Sequence, residues 1–293
     1  MAKISVVINT LNEEKNIFRV ISSVKNFADE IVVCDMHSED KTAHIAKELG
    51  ARVVTHKKTN YVEPARNFAI SKATGDWIFI IDADEEAPES LLNVLKRIAG
   101  NNEADYVLIP RKNIIFGKWI RHSRWWPDYL VRFFKKGSVS WNNQIHSEPN
   151  KSGRELMLEG REENALIHHN YQTVSQYLER MMRYSQIQAK NLQKEGYCFV
   201  WTDLIKKPLN EFLSRYFAGE GFKDGVHGLV LALLQAFSEL IVYIRLWEEE
   251  GFKEEETPQA INEIKKATKE INWWVKKDEK NVFQKIVQKI KAS

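Results

Sequence analysis

The sequence predicts an α/β fold, a mainly parallel sheet flanked by helices and followed by a helical C-terminal region. Two observations carry that expectation. Between Ile4 and Ile81, short apolar runs alternate with amphipathic stretches, the pattern that parallel strands and their crossover helices impose. Three of those runs give way to short polar residues, Asn9, Asp35 and Asp82, and in open α/β sheets ligands sit beyond the carboxyl ends of the strands. Composition agrees: 43% hydrophobic and 28% charged residues in a chain of 293 describe an ordinary globular protein with a substantial core. A net charge of +3 gives no reason to expect a nucleic-acid partner. Cys34 and Cys198 lie too far apart in sequence for a metal-binding cluster and are too few for a disulfide scaffold.

Taken in order, Ile4–Ile8 reads as a strand, and Asn12, Glu13 and Glu14 open a helix that runs through Val24. Ile31–Val33 is a second strand. The amphipathic Ala43–Leu49 is a helix stopped by Gly50, whose freedom at positive φ suits a C-terminal cap. Arg52–Thr55 makes a third strand, Pro64–Lys72 a third helix and Ile78–Ile81 a fourth strand. Leu91–Ile98 continues as helix and Tyr106–Pro110 as strand. Tyr129–Phe134 and Ser138–Trp141 are expected to pair antiparallel around the Lys135-Lys136-Gly137 turn. Long helices follow over Val174–Glu195, Leu209–Phe217 and the apolar stretch through Leu246. His227, Gln235 and Glu239 mark that last helix as buried or lying on a membrane surface rather than spanning. After Gly251 the chain becomes a Lys/Glu-rich amphipathic tail.

The chemistry concentrates after the fourth strand. Asp82 and Asp84, one residue apart, can turn toward one cation, and their hard oxygens suit Mg²⁺ or Mn²⁺ when phosphate oxygens complete the shell. The alternative is an acidic loop leading into the next helix. Asn12 and Glu13 can recognise a base or ribose, or cap a helix. Asp35 can bond a ribose, or close a turn with Ser38 and Asp40. Arg66 can meet phosphate, or a neighbouring carboxylate. Neither a P-loop nor a dinucleotide glycine motif is present, which argues against an ATPase or a nicotinamide enzyme.

Four ordered segments then carry a resemblance: Ser5-Val6-Val7-Ile8-Asn9-Thr10-Leu11-Asn12-Glu13-Glu14, the Asp35 region, Ala65-Arg66-Asn67, and Gly75-Asp76-Trp77 leading to Asp82-Ala83-Asp84-Glu85. Together they resemble family 2 glycosyltransferases. The resemblance implies a GT-A fold and transfer of a sugar from a nucleotide-sugar donor, a UDP- or GDP-sugar, with Mg²⁺ or Mn²⁺. It places Thr10, Asn12, Glu13 and Asp35 around the nucleoside, Arg66 near the base or diphosphate, and Asp82 and Asp84 at the metal and ribose as a DxD motif. Beyond residue 110, Arg124-Trp125-Trp126-Pro127-Asp128, Arg132-Phe133-Phe134 and Ile145-His146-Ser147-Glu148 resemble the branch that includes lipopolysaccharide-core glycosyltransferases. Many relatives have glutamate directly after the histidine, whereas Ser147 intervenes here.

An acceptor hydroxyl needs a group to take its proton. Glu148 is the first candidate, Asp128 the second, and His146 a positioning residue. A single in-line displacement inverts the anomeric centre. The cations and aromatic rings from Arg111 to Lys136 suit diphosphate, sugar faces or an anionic acceptor. One histidine of His168-His169 can reach phosphate or metal, or hold the core by hydrogen bonds. Residues 1–220 are expected to form the catalytic domain and 221–293 a helical extension that meets a membrane surface or a second copy. The expected acceptor is a cell-envelope glycan or lipid-linked saccharide; the alternatives are a protein glycosyltransferase and a nonenzymatic nucleotide-sugar or glycan-binding protein. The first residues lack the pattern of a secretory signal, so a cytoplasmic location is expected, at the inner face of the cell membrane.

Overall fold

Every residue of the first strand, β1 (Ile4–Thr10), is buried, because helices cover both faces of the sheet it centres. The computed structural model describes residues 2–58, 63–141, 148–254, 256–257 and 259–292. These residues group into two units, one of residues 1–114 with 126–170, the other of 115–125 with 171–293.

In the first unit β1 is followed by α1 (Ile17–Val24), β2 (Glu30–Asp35), α2 (Thr42–Glu48), β3 (Arg52–Thr55), α3 (Glu63–Lys72) and β4 (Trp77–Ile80). A two-residue strand, β5 (Glu85–Glu86), precedes α4 (Glu89–Asn101) and β6 (Tyr106–Ile115). After β7 (Lys118–Trp119), which lies in the second unit, come β8 (Asp128–Lys135), β9 (Val139–Ser140), β10 (Asn150–Lys151), β11 (Glu155–Met157) and β12 (Leu166–Tyr171). The main strand order is β3-β2-β1-β4-β8-β6-β12-β5. Its first four strands are parallel, and β8 then runs antiparallel to both β4 and β6. The α/β expectation therefore holds, as a mixed sheet of GT-A-like arrangement.

Side-chain alternation along β1 divides the core. Val6 and Ile8 face Ile17, Val20 and Ile21 of α1 and Leu91 and Leu95 of α4, whereas Val7 faces Ala65, Ala69 and Ile70 of α3. Trp77 stacks on Phe133 with ring centroids 4.6 Å apart, joining the parallel and antiparallel strands. At the opposite end of the sheet from the polar strand termini, Glu30 accepts hydrogen bonds from Ser5 Oγ (2.7 Å) and Thr74 N (2.8 Å), and Ser5 Oγ accepts one from Gly75 N (2.8 Å). Gly75 is required there, since a Cβ would lie 2.7 Å from Ser5 N and 2.9 Å from Lys3 O.

Two local expectations change. The first helix starts at Ile17 rather than at Asn12, because Asn12 sits at φ 57° and its backbone N–H donates to Ser38 Oγ (2.9 Å), folding the loop against the one after β2. Val139–Ser140 pairs with β10 and not with β8, since both edges of β8 are taken by β4 and β6.

The second unit is helical: α5 (Val174–Lys194), α6 (Asp203–Leu213), α7 (Val226–Glu249) and α8 (Ala260–Ala292). Thr173 and Gln176 form a reciprocal capping box at the start of α5. Helix α6 begins before Pro208, and its continuation Ser214–Ala218 is a π-helical turn, so the expected helix over Leu209–Phe217 is present but starts earlier, at Asp203. Asp224 accepts backbone bonds from Arg121 (3.2 Å) and His122 (2.9 Å), tying residues 115–125 into this unit. Helix α7 is long and apolar enough to cross a membrane by length and composition, and 28% of its most apolar stretch is buried.

Candidate active site

The carboxyl ends of the parallel strands bring Thr10 and Asp35 side by side in register, with Asp82 two residues beyond the end of β4. Asn9 and Thr10 are buried, yet neither amide atom of Asn9 nor the hydroxyl of Thr10 has a hydrogen-bond partner among the described residues. Buried polar groups cost free energy when unpaired. Both stand at the carboxyl end of β1. Asp35 is buried and accepts from Ser38 N at 3.1 and 3.3 Å, so the turn that the sequence offered as its alternative role is present. Asn12 Oδ1 accepts from Glu39 N (2.8 Å), and Glu13 N donates to Thr42 Oγ1 (2.8 Å); both residues shape the loop beside Asp35.

The two aspartates after β4 meet different surroundings. Asp82 Oδ1 accepts from Arg66 Nη2 (3.1 Å), and its Oδ2 is bonded by Arg132 Nη2. Arg132 is 2% exposed and also donates to Glu85 Oε1 (2.8 Å), a carboxylate with no exposure, which Arg111 Nη1 approaches at 3.5 Å. Burial pushes the Asp82 carboxyl up, but the Arg132 and Arg66 guanidiniums outweigh it and hold the group well below the usual carboxylate range. Asp82 is therefore ionised at neutral pH. Arg66 in turn lies over the Trp141 ring, 5.6 Å from its centroid. Asn67 fixes that tryptophan, donating to its carbonyl (2.6 Å) and accepting from its N–H (2.9 Å).

Asp84 points the other way. Strand β12 pairs antiparallel with β5, with His168 opposite Glu85, and His169 N donates to Asp84 O (2.9 Å). This register sets His168 Nε2 3.4 Å from Asp84 Oδ2. On the far side of the ring, His168 Nδ1 lies 2.6 Å from Asn113 Oδ1. Asn113 Nδ2 donates to Asp128 Oδ2 (3.2 Å), and Arg111 grips the same oxygen through Nε (2.9 Å) and Nη2 (2.5 Å). Asp128 and Arg111 are partners across β6 and β8, which explains how residues distant in sequence converge. His169 Nε2 approaches Glu86 Oε2 at 3.4 Å; burial first and Arg19 second lower its proton affinity below the ordinary imidazole value.

The structure thus brings together Thr10, Asp35, Arg66, Asp82, Asp84 and Asp128 in the first unit, with Asn12 and Glu13 on the adjoining loop. Glu148 is separate from this network, with its side chain 90% exposed and Lys151 Nζ 3.8 Å away. His146 lies outside the described residues. Sequence reasoning missed Asn113, and it named Glu85 and Arg132 only within resembling segments, the acidic loop or the run of cations, without a role. The signal for Asn113 was its place two residues from Arg111 on one strand face. Among the described residues no group of three or more His, Cys, Asp or Glu side chains is placed to hold a metal ion. Asp84 and His168 offer two donors.

A mixed sheet with polar residues at the ends of its parallel strands, beside an acidic loop met by Arg66, Arg132 and His168, is a GT-A-like arrangement. The chain belongs to glycosyl transferase family 2, whose model matches residues 5–159. It is 33% identical over 261 residues to an uncharacterised glycosyltransferase of Rickettsia typhi, covering 85% of this chain and 88% of that one. A Rickettsia felis glycosyltransferase, also uncharacterised, is 30% identical over 290 residues, covering 96% and 99%. Among solved structures, glucosyl-3-phosphoglycerate synthase from Mycobacterium tuberculosis in complex with Mn²⁺ and UDP-glucose is 26% identical with a TM-score of 0.33, covering 40% of this chain and 44% of that one. TarS 1–349 of S. aureus is 18% identical with a TM-score of 0.45, covering 83% and 91%.

Proposed function

We propose that this glycosyltransferase moves a sugar, with inversion, from a UDP-sugar held with Mn²⁺ or Mg²⁺ to a cell-envelope glycan or lipid-linked saccharide. The observation that carries the reading is the Asp84–His168 pair, 3.4 Å apart beside an arginine-held Asp82. The donor set fits a divalent ion: a hard carboxylate oxygen and an imidazole nitrogen suit Mn²⁺, and a diphosphate supplies further oxygens. When bound, such an ion neutralises charge developing on the departing diphosphate. Asp84 and His168 would hold it; Asp82 keeps Arg66 and Arg132 fixed, and Arg66 would face the phosphates. Asn9 and Thr10 take up their missing hydrogen bonds with the nucleoside, and Asp35 borders the same crevice. The acceptor oxygen bonds to the anomeric carbon as the bond from that carbon to the phosphate oxygen breaks, and the nucleoside diphosphate leaves. Glu148 accepts the hydroxyl proton. The support is the sequence resemblance around residues 145–148 and the engagement of the other candidate, Asp128, by Arg111 and Asn113. The envelope acceptor is supported by the sequence resemblance around residues 124–134 and 145–148.

The test is turnover of a UDP-sugar panel with Mn²⁺ and envelope extracts, read as UDP release and acceptor mass gain. Asp84→Ala is expected to lower turnover at least 100-fold with unchanged melting, in line with the loss of roughly 10²–10³ typical of a removed charge-stabilising group. Binding without turnover across broad donor and acceptor panels overturns the enzymatic reading in favour of a binding module.

We also propose that the enzyme works against the inner face of the cell membrane. Helix α7 exposes Val226, Leu229, Leu233, Phe237 and Ile244, a stripe at helical spacing, with Val226 74% and Leu233 52% exposed. Phe237→Glu with Leu233→Glu is expected to abolish sedimentation with anionic vesicles; equal recovery of both proteins in the supernatant overturns it, and concentration-dependent oligomers lost in the variant reassign the stripe to a second copy.

A further inference from the structure

We infer that Asp128 and Asn113 form a positioning relay that sets the tautomer of His168, presenting its Nε2 lone pair to the cation shared with Asp84. This deepens the proposed cation seat and rests on it. The argument is one of donor and acceptor capacity. An ionised carboxylate only accepts, so the Asn113 atom 3.2 Å from Asp128 Oδ2 is the amide nitrogen. That leaves Asn113 Oδ1, again only an acceptor, 2.6 Å from His168 Nδ1. The Nδ1 atom must therefore carry the proton. In the neutral ring Nε2 then bears a lone pair, and it faces Asp84 Oδ2 at 3.4 Å. A carboxylate oxygen and this ring nitrogen 3.4 Å apart are held together by whatever cation they share, a proton on Nε2 or a divalent ion that displaces it. The pair is thus arranged as half of a coordination shell.

What holds the relay is electrostatic. Asn113 has no exposure, so its amide has little freedom to flip, and the Arg111 guanidinium fixes the Asp128 oxygen from which orientation starts. Arg111 also approaches the buried Glu85, which anchors the relay to the Arg132 cluster rather than to a mobile surface. Outer partners of this kind orient metal-binding histidines and raise their basicity. Asp128 is on this account a positioning residue, one that acts through Asn113 and touches neither donor nor acceptor.

The experiment has two readouts. Nitrogen-15 NMR of the metal-free protein reports the His168 tautomer directly, with the proton expected on Nδ1. A proton on Nε2 with none on Nδ1 in the wild type overturns the relay without any variant. Mn²⁺ titration in the presence of UDP, followed by electron paramagnetic resonance, compares wild type with Asn113→Ala, Asp128→Ala and His168→Ala. Asn113→Ala and Asp128→Ala are each expected to weaken Mn²⁺ about 10- to 100-fold, with the tautomer signal redistributed and the melting temperature showing a folded protein. Unchanged Mn²⁺ affinity in both, alongside weakened affinity in His168→Ala, overturns the relay and leaves the cation seat standing. Unchanged affinity in His168→Ala overturns the seat itself.

Discussion

The two halves of the sheet meet their polar residues in opposite ways. In the parallel half, Asn9 and Thr10 at the end of β1 are buried with side-chain polar atoms that have no hydrogen-bond partner among the described residues. In the antiparallel half, β6, β8 and β12 bring in Arg111, Arg132, Asn113 and His168, and the acids they meet are bonded before any ligand arrives. On the proposed function, the first half would supply hydrogen bonds to the nucleoside and the second a preorganised charge field beside the diphosphate. The acidic loop after β4 joins them, with Asp82 inside the arginine cluster and Asp84 at its histidine-facing edge.

The strongest way to break this contrast is Arg132→Met. It removes the nearer counter-charge of the buried Glu85, leaving Arg111 at 3.5 Å, and one of the two guanidiniums on Asp82, and the expected loss is about 3–5 kcal/mol, read by denaturant unfolding. A loss below about 1 kcal/mol, the range of exposed ion pairs, would show that the cluster is not prepaired. Gly75→Ala attacks the parallel half at its closed end, where a Cβ 2.7 Å from Ser5 N forces the backbone apart. About 1–3 kcal/mol of destabilisation is expected.

A smaller effect comes from Glu30 in the same knot. Burial raises its carboxyl affinity for protons, but bonds from Ser5, Thr74 and Arg52 outweigh that and bring its pKa down to about 2 from 4.5. A carboxyl lowered in the folded state binds protons more readily when unfolded. Its stabilisation is therefore full above pH 4.5 and lost as pH falls toward 2. After solvent screening this amounts to on the order of 1 kcal/mol. Glu30→Gln should flatten that part of the melting-temperature profile, and an unchanged slope would remove Glu30 from the knot's energetics. The smallest stability change is expected at the open end. Asn9→Ala deletes an amide with no partner among the described residues, so folding should shift by less than about 1 kcal/mol, while the melting-temperature rise produced by UDP with Mn²⁺ shrinks. A retained rise would show that the crevice does not use this side chain.

Much of the parallel half was legible because local patterns dictate it. Each strand is a short apolar run, each helix has an amphipathic period, and Asp35 and Asp82 stand where strands end. The first helix was misplaced because Asn12 adopts a left-handed conformation held by Ser38, a partner 26 residues away. The antiparallel half was less legible. Val139–Ser140 follows a turn signal after β8, as a hairpin strand would, yet β8 had already spent both edges. Asn113 carries no motif at all.

The sequence by itself determined the alternation of strand and helix, the polar strand ends and the pair of acids one residue apart, since all of these follow from neighbours along the chain. Only the tertiary structure decided that Asp82 faces Arg66 and Arg132 while Asp84 faces His168. Those contacts depend on how β4, β5, β8 and β12 lie beside one another, and backbone pairing between strands far apart in sequence leaves no periodic trace in the chain.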